Sequence, residues 1–382
     1  MTPFETVDHD RLRSGHGVKW GSLPRDVLGA WVADMDFGVP PAVRASVVDL
    51  AEREDFGYPF WRGQDPVVTA FEERMADRHG WSPIPDRTRV FTDLIQVLQV
   101  VIEHTTAPGD GIALHVPTYP PFLASIARSG RRIVPLPMRW TPSGWDFSTD
   151  ALADRLQGCK LLVLVNPHNP TGRVFTRAEL APLADVAEEL DLVVLADEIH
   201  ADLAHAPHRH VPFAALAPHR TVTATSATKA FNIAGLRCAV AHVGPDRTWD
   251  ALSRAPLDYF GTPSTVSRVA TVAAWRDAQP WLDELSKVLR HNRSTVERWA
   301  SELPWDLRHH APEASYLSWF DFADTPLRDV TRLEREARVK LSEGAEFASF
   351  TDVDTSTFAR LNFATSPSTL AEILDRIGGA LT

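Results

Sequence analysis

Between residues 90 and 245, short apolar runs alternate with longer stretches of helical period, and few architectures tolerate that rhythm. GIALHVP (111–117), RRIVPLP (131–137), KLLVLV (160–165), DLVVLA (191–196), RTVTATS (220–226) and LRCAVAHV (236–243) read as buried strands. In most of them apolar residues fall at successive rather than alternate positions, the mark of a strand covered on both faces. Between several lie amphipathic stretches such as LIQVLQVVIEHT (94–105) and RAELAPLADVAEEL (177–190). The pattern predicts an α/β chain, a three-layer αβα sandwich around a mostly parallel central sheet. In that architecture ligands bind outside the carboxyl ends of the strands.

The rhythm changes near residue 280. PWLDELSKVLRHNRSTVERWASEL (280–303) predicts a long helix, and YLSWFDF (316–322) and FARLNF (358–363) predict strands. LRDVTRLEREARVKL (327–341) and STLAEILDRIGGAL (368–381) predict helices. These make a smaller α+β domain over 281–382, beside a large domain over 46–280. Residues 1–45, rich in Pro, Gly and Trp, read as an N-terminal arm that also contributes to the small domain.

Composition excludes several functions. Apolar residues make up 44% and charged residues 23%, as in an ordinary globular protein. The net charge of −11 argues against a nucleic-acid partner, because phosphate contacts need a basic face. No apolar run reaches the roughly 18 residues of a membrane span, so no membrane partner is expected. The opening segment MTPFETVDHDRLRSGHGVKWG lacks an apolar signal core, which points to the cytoplasm. Cys159 and Cys238 stand in no metal or redox spacing and read as reduced core thiols.

Chemistry concentrates where the expected strands end. KLLVLV runs into the turn Asn166-Pro167-His168-Asn169-Pro170-Thr171-Gly172, DLVVLA into Asp197-Glu198-Ile199-His200, and RTVTATS into Ser226 and then Lys229. Three strand ends thus offer an amide, a carboxylate and an amine over one crevice. A carboxylate ending an apolar strand is costly to bury unless a cation meets it. Lys229 is one candidate for that cation, and a protonated heterocycle is another.

The segments NPHNPTGR, ADEIHADL, SATKAFNIAGLR and ARLNFATS, taken in order, resemble the fold-type I pyridoxal-phosphate enzymes of the aminotransferase class I/II superfamily. WVADMDF (31–37), FGY (56–58), PTYPPF (117–122) and the DEIH form are similar to the bacterial cystathionine-β-lyase-like C–S lyases, the cystalysin-like branch. The resemblance runs from about residue 18 to 375. It implies that Lys229 carries the cofactor pyridoxal 5'-phosphate as an imine and later removes the Cα proton. Asp197 would pair with the pyridine nitrogen, Asn169 and more weakly His200 would face the ring oxygen, and Tyr119 would stack on the ring. Ser226, Arg237 and the amides of Leu94 and Ile95 would hold the phosphate. Tyr58 would complete the site of the neighbouring subunit in a homodimer. Arg360 would clamp the carboxylate of an amino-acid substrate, with Asn169 beside it, and Asp34 and its neighbours would line the entrance.

Two departures accompany the resemblance. Asp93 stands near a position where relatives usually carry Gly; it would cap the helix 94–105 and point away from the phosphate. The Gly-rich loop that commonly precedes the carboxylate-binding Arg is replaced by EGAEFASFTDVDTSTFAR (343–360).

Competing readings are weaker. Ser226-Ala227-Thr228-Lys229 fits the Ser-x-x-Lys pattern of acyl-serine enzymes, whose companion motifs are absent. DEIHADLAHAPHRH (197–210) reads as a solvated His-rich turn rather than a metal site, so no metal is expected. A regulator on the same scaffold would normally carry a fused DNA-binding domain or lack the lysine. The expected activity is α,β-elimination on an S-substituted L-cysteine such as cystathionine. Transamination is the alternative, with decarboxylation or oxidative deamination of a sulfur-containing amino acid behind it.

Overall fold

The computed structural model describes residues 4–147, 149–256 and 261–381. Its strands, in chain order, begin with β1 (Leu28–Gly29), β2 (Thr88–Phe91), β3 (Gly111–Val116), β4 (Arg132–Thr141), β5 (Gly144–Phe147), β6 (Cys159–Val165), β7 (Val193–Asp197), β8 (Thr221–Thr225) and β9 (Ala239–Val243). They continue with β10 (Asp306–His309), β11 (Leu317–Asp324), β12 (Val339–Lys340), β13 (Ser342–Glu343) and β14 (Phe358–Asn362).

The central sheet has the order β2-β9-β8-β7-β6-β3-β4-β5. The five strands from β8 to β4 are parallel, while β9, β2 and β5 are antiparallel additions at the two edges. The fold is therefore the expected αβα sandwich. Alternate residues of one strand enter different cores. Leu161, Val163 and Val165 pack with the helices Leu94–Thr105 and Pro120–Arg128, while Leu162 and Leu164 pack with the helix Arg177–Glu189. Burial on both faces is why β6 shows no polar alternation.

After β3 the chain moves outward to β4 and β5, then returns to place β6 on the other side of β3. That reversal leaves a crevice at the carboxyl ends of β3 and β6, the place where open α/β sheets take their ligands.

A second, antiparallel sheet has the order β10-β11-β14-β13, and β1 pairs in parallel with β12. The N-terminal segment is thereby strapped to the C-terminal one. A buried Lys19–Asp36 ion pair at 2.8 Å and the Trp20 indole donating to Asp36 at 2.6 Å fix the strap. Among the described residues no helix is long and apolar enough to cross a membrane. Cys159 and Cys238 are buried free thiols.

Two expectations need correction. The stretch 327–341 is not one helix: it holds a 3-10 turn (Val330–Arg332), a short helix (Leu333–Ala337) and then β12. Arg338 adopts φ 55°, which stops the helix, and Val339 pairs with Leu28. Pairing with a distant segment overrides local helical period there. The His-rich turn is not solvated, since His200, His205 and His210 are all buried. His205 Nε2 contacts the Ser315 carbonyl at 2.7 Å and His210 Nε2 meets Glu198 Oε2 at 3.1 Å. Those partners come from far along the chain or from side-chain geometry, and composition does not announce them.

Candidate active site

A cavity of about 410 Å³ lies at the carboxyl ends of β3, β6, β7 and β8, closed from above by Trp31, Val32, Ala33 and by Phe347 and Arg360. Asp197 is the last residue of β7, two positions beyond Leu195, which packs against the helix Leu94–Thr105. The period of two puts its carboxylate on that same side of the sheet. Its only side-chain hydrogen bond among the described residues comes from the Ile199 N–H, at 3.0 Å. Burial pushes its pKa up to about 7, with the neighbouring Glu198 charge adding to the rise and the Ile199 N–H and Lys229 opposing it. It is a buried acid short of a cation.

Lys229 follows β8 in a turn whose Ala227, Ala230 and Phe231 are locked in the core. Its Nζ donates to the Ala33 carbonyl at 2.9 Å, an oxygen that also accepts from the Tyr316 hydroxyl at 2.9 Å. Burial lowers its pKa below the ordinary amine range; Asp34 and Asp197 work against that shift, and Arg360 and Arg237 add to it.

Arg360 stands on β14 directly across from Ser342 on β13. It donates to Asn169 Oδ1 at 2.9 Å, to the Trp31 carbonyl at 3.1 Å and to Ser342 Oγ at 3.2 Å. The guanidinium carbon lies 5.0 Å from the centre of the Phe347 ring. Its Nε is buried and has no hydrogen-bond partner among the described residues. Burial brings the guanidinium down to about 10, so it stays charged at neutral pH. Among the described residues Arg360 engages the oxygen of Asn169 and not its amide N–H groups.

At the opposite pole the helix Leu94–Thr105 begins, and its first-turn amides at Leu94 and Ile95 have no acceptor within the helix. The Ser226 hydroxyl donates to the Cys238 carbonyl at 2.6 Å and accepts from the Thr228 N–H at 3.1 Å. Arg237, at φ 54°, holds Asp93 Oδ2 at 2.5 Å. Asp93 does cap the helix, its Oδ1 accepting from Gln96 N at 3.0 Å, but it lines the cavity instead of pointing away. The capping geometry and the Arg237 contact together hold it there.

Tyr119 immediately precedes the helix Pro120–Arg128 and lines the cavity, its ring edge-on to Phe122 at 5.5 Å. Burial raises its pKa. His200 also lines the cavity; burial, helped by Lys229 and Arg360, pushes its pKa down to about 3, leaving a neutral imidazole. The structure thus brings together Lys229, Asp197, Asn169, His200, Tyr119, Ser226, Arg237, Leu94, Ile95 and Arg360.

Two residues stand elsewhere. Asp34 does not line the cavity, since Trp31 to Ala33 occupy that edge; its carboxylate acts by charge on Lys229 and Tyr316. Tyr58 is fully exposed on the chain surface. Sequence reasoning missed Thr228, Ser342, Glu346 and Phe347 as lining residues, although Glu346 and Phe347 lie in the loop singled out as unusual.

Residues 26–377 match the family described as aminotransferase class I and II. The chain belongs to that family. Within it, the chain is 34% identical to the cystathionine beta-lyase of Corynebacterium glutamicum, over 97% of this chain and 98% of the relative. It is 33% identical to the cystathionine beta-lyase PatB of Bacillus subtilis, over 96% of each. The crystal structure of the PLP-bound C–S lyase of Staphylococcus hominis superposes with a TM-score of 0.90 at 25% identity, covering 100% of this chain and 99% of that one.

Proposed function

We propose that this protein is a pyridoxal-phosphate-dependent C–S β-lyase that cleaves an S-substituted L-cysteine, such as cystathionine, to a thiol, pyruvate and ammonia. The carrying observation is the convergence of Lys229, Asp197, Asn169 and Arg360 on one cavity, in a chain whose relatives over nearly its full length include two cystathionine beta-lyases. The residues fit the cofactor. Asp197 needs a cation, which a protonated pyridine nitrogen provides. The free amides of Leu94 and Ile95, with Arg237, suit a phosphate, and Tyr119 offers a ring face. Thr228, whose backbone N–H holds Ser226 Oγ, stands beside that pole.

When bound, pyridoxal phosphate supplies an aldehyde that captures the substrate amine and a ring that takes up the electron pair left on Cα. The chain does the rest. Arg360, held by Asn169, Trp31 and Ser342, offers its unpartnered Nε–H and its charge to the α-carboxylate and so sets the direction of the Cα–H bond. Lys229 Nζ, with its pKa lowered by burial, takes the Cα proton as a neutral amine. Asp197 holds the proton on the ring nitrogen. Trp31, Phe122 and Phe347 wall the cavity and limit access of water. The Cβ–S bond then breaks with its electron pair on sulfur, and the released enamine hydrolyses to pyruvate and ammonia. Arg360 belongs to the small domain proposed over 281–382 and Lys229 to the large one, so grip and base come from separate parts of the chain.

The test is an assay with cystathionine and other S-conjugates in the absence of any keto acid. Thiol, pyruvate and ammonia are expected in equal amounts. Turnover that depends on an added keto acid would sink the lyase reading and leave transamination.

The working form in this reading is a cytoplasmic homodimer in which Tyr58 of the partner subunit reaches the cofactor phosphate. Support comes from Phe56, Tyr58 and Phe60, which are 64%, 102% and 82% exposed within five residues of one another. Such a run of bare aromatics suits a buried interface. Tyr58→Ala is expected to weaken cofactor binding about tenfold, the loss of one hydrogen bond to a charged group. Fully active monomers in sedimentation would remove this role.

A further inference from the structure

Both carboxylate oxygens of Asp93 are engaged. Oδ1 accepts from Gln96 N at 3.0 Å and ties the side chain to the helix start. Oδ2 takes Arg237 Nη2 at 2.5 Å and Thr92 Oγ1 at 3.1 Å. Among the described residues lining the cavity, the cations are Lys229, Arg237 and Arg360. In the proposed reading Arg360, beside Asn169 and Ser342, serves the substrate carboxylate, and Lys229, against Ala33, serves the cofactor aldehyde and Cα. Arg237 is therefore the cation this pole has for a phosphate, and an acid already holds it.

We propose that Asp93 competes with the cofactor phosphate for Arg237 and so sets a deliberately weak hold on the phosphorylated cofactor. The inference rests on the cofactor reading above. A dianion arriving at this pole meets an Arg–Asp pair of zero net charge, and a fixed negative charge sits beside the helix amides that would also receive it. The site trades retention of the cofactor for its exchange.

The test is titration of cofactor-free protein with pyridoxal phosphate, followed by the absorbance of the bound form, for wild type and Asp93→Asn. Asn caps a helix as well as Asp does, so the helix start is kept. The Kd for pyridoxal phosphate is expected to fall about 10- to 100-fold in D93N, from loss of one close like charge. The Kd for pyridoxal, which lacks the phosphate, is expected to stay unchanged. Inorganic phosphate alone is expected to bind the cofactor-free protein more tightly in D93N, by a similar factor. A Kd in D93N that is unchanged or weaker overturns the proposal and makes Asp93 a scaffold for Arg237. Equal tightening for pyridoxal overturns it too. Should D93N fail to fold, Asp93→Gly, which removes the same charge, gives the same comparison. Wild-type protein that binds no pyridoxal phosphate at all would instead overturn the proposed function, and this inference with it.

Discussion

Lys229→Ala is expected to lower kcat by ~10^4-fold or more, because it removes both the point of cofactor attachment and the base at Cα. The variant should still bind the cofactor through Asp197, Arg237 and the helix amides, but borohydride should no longer fix cofactor to the chain. Mass spectrometry of the reduced protein checks this directly. A fixed adduct in K229A would move the attachment to another amine and dismantle the reading of the cavity. Folding should be intact, since among the described residues Nζ makes a single hydrogen bond, to Ala33, while Ala227, Ala230 and Phe231 anchor the turn.

Asp197→Asn carries two effects of opposite sign. Activity is expected to fall on the order of 10^3-fold, as when a preorganised electrostatic partner of the reacting system is lost. Stability of the cofactor-free protein is expected to rise. The pKa of Asp197 goes from 3.8 up to about 7 on folding, so the folded chain keeps a proton that the unfolded chain gives up. Its contribution is absent below about pH 4, grows more unfavourable as pH rises, and is complete above about pH 7, where it reaches roughly 4 kcal/mol. D197N removes that penalty. Urea unfolding of the cofactor-free proteins should favour the variant at pH 8 and show the two converging toward pH 4. A variant less stable than wild type at pH 8 would mean that Asp197 is already satisfied within the chain.

How much of this was legible beforehand depends on the range of the interaction. The strands β3, β6, β7 and β8 follow from their own apolar runs, and the polar residues just past them had to meet at one end of the sheet. Asn169, Asp197 and Lys229 were readable for that reason. Arg360 was reached through resemblance, because nothing local in FARLNF says that β13 will set Ser342 opposite it. Asp93 was placed correctly as a cap and wrongly as pointing away. Its partner Arg237 lies 144 residues further on, and a cap with one spare oxygen looks the same in sequence whether or not a guanidinium waits for it. Ser226 tells a similar story: its proton goes to the Cys238 carbonyl, a contact set by how the turn folds back on itself. The His-rich turn misled because composition weighs imidazoles as surface groups, whereas Glu198 and the Ser315 carbonyl give them buried partners.

The N-terminal strap touches both working ends of the cavity. Its Ala33 carbonyl restrains the Lys229 amine, its Trp31 carbonyl holds Arg360, and Asn362 donates to its Val32 and Asp34 carbonyls at 2.6 and 2.7 Å. All four contacts use main-chain oxygens of residues 31–34, while the Lys19–Asp36 pair and the Trp20 indole hold the path of that main chain. The spacing between base and carboxylate grip is therefore a property of the backbone of residues 31–34, which one continuous stretch of main chain sets for both ends of the cavity.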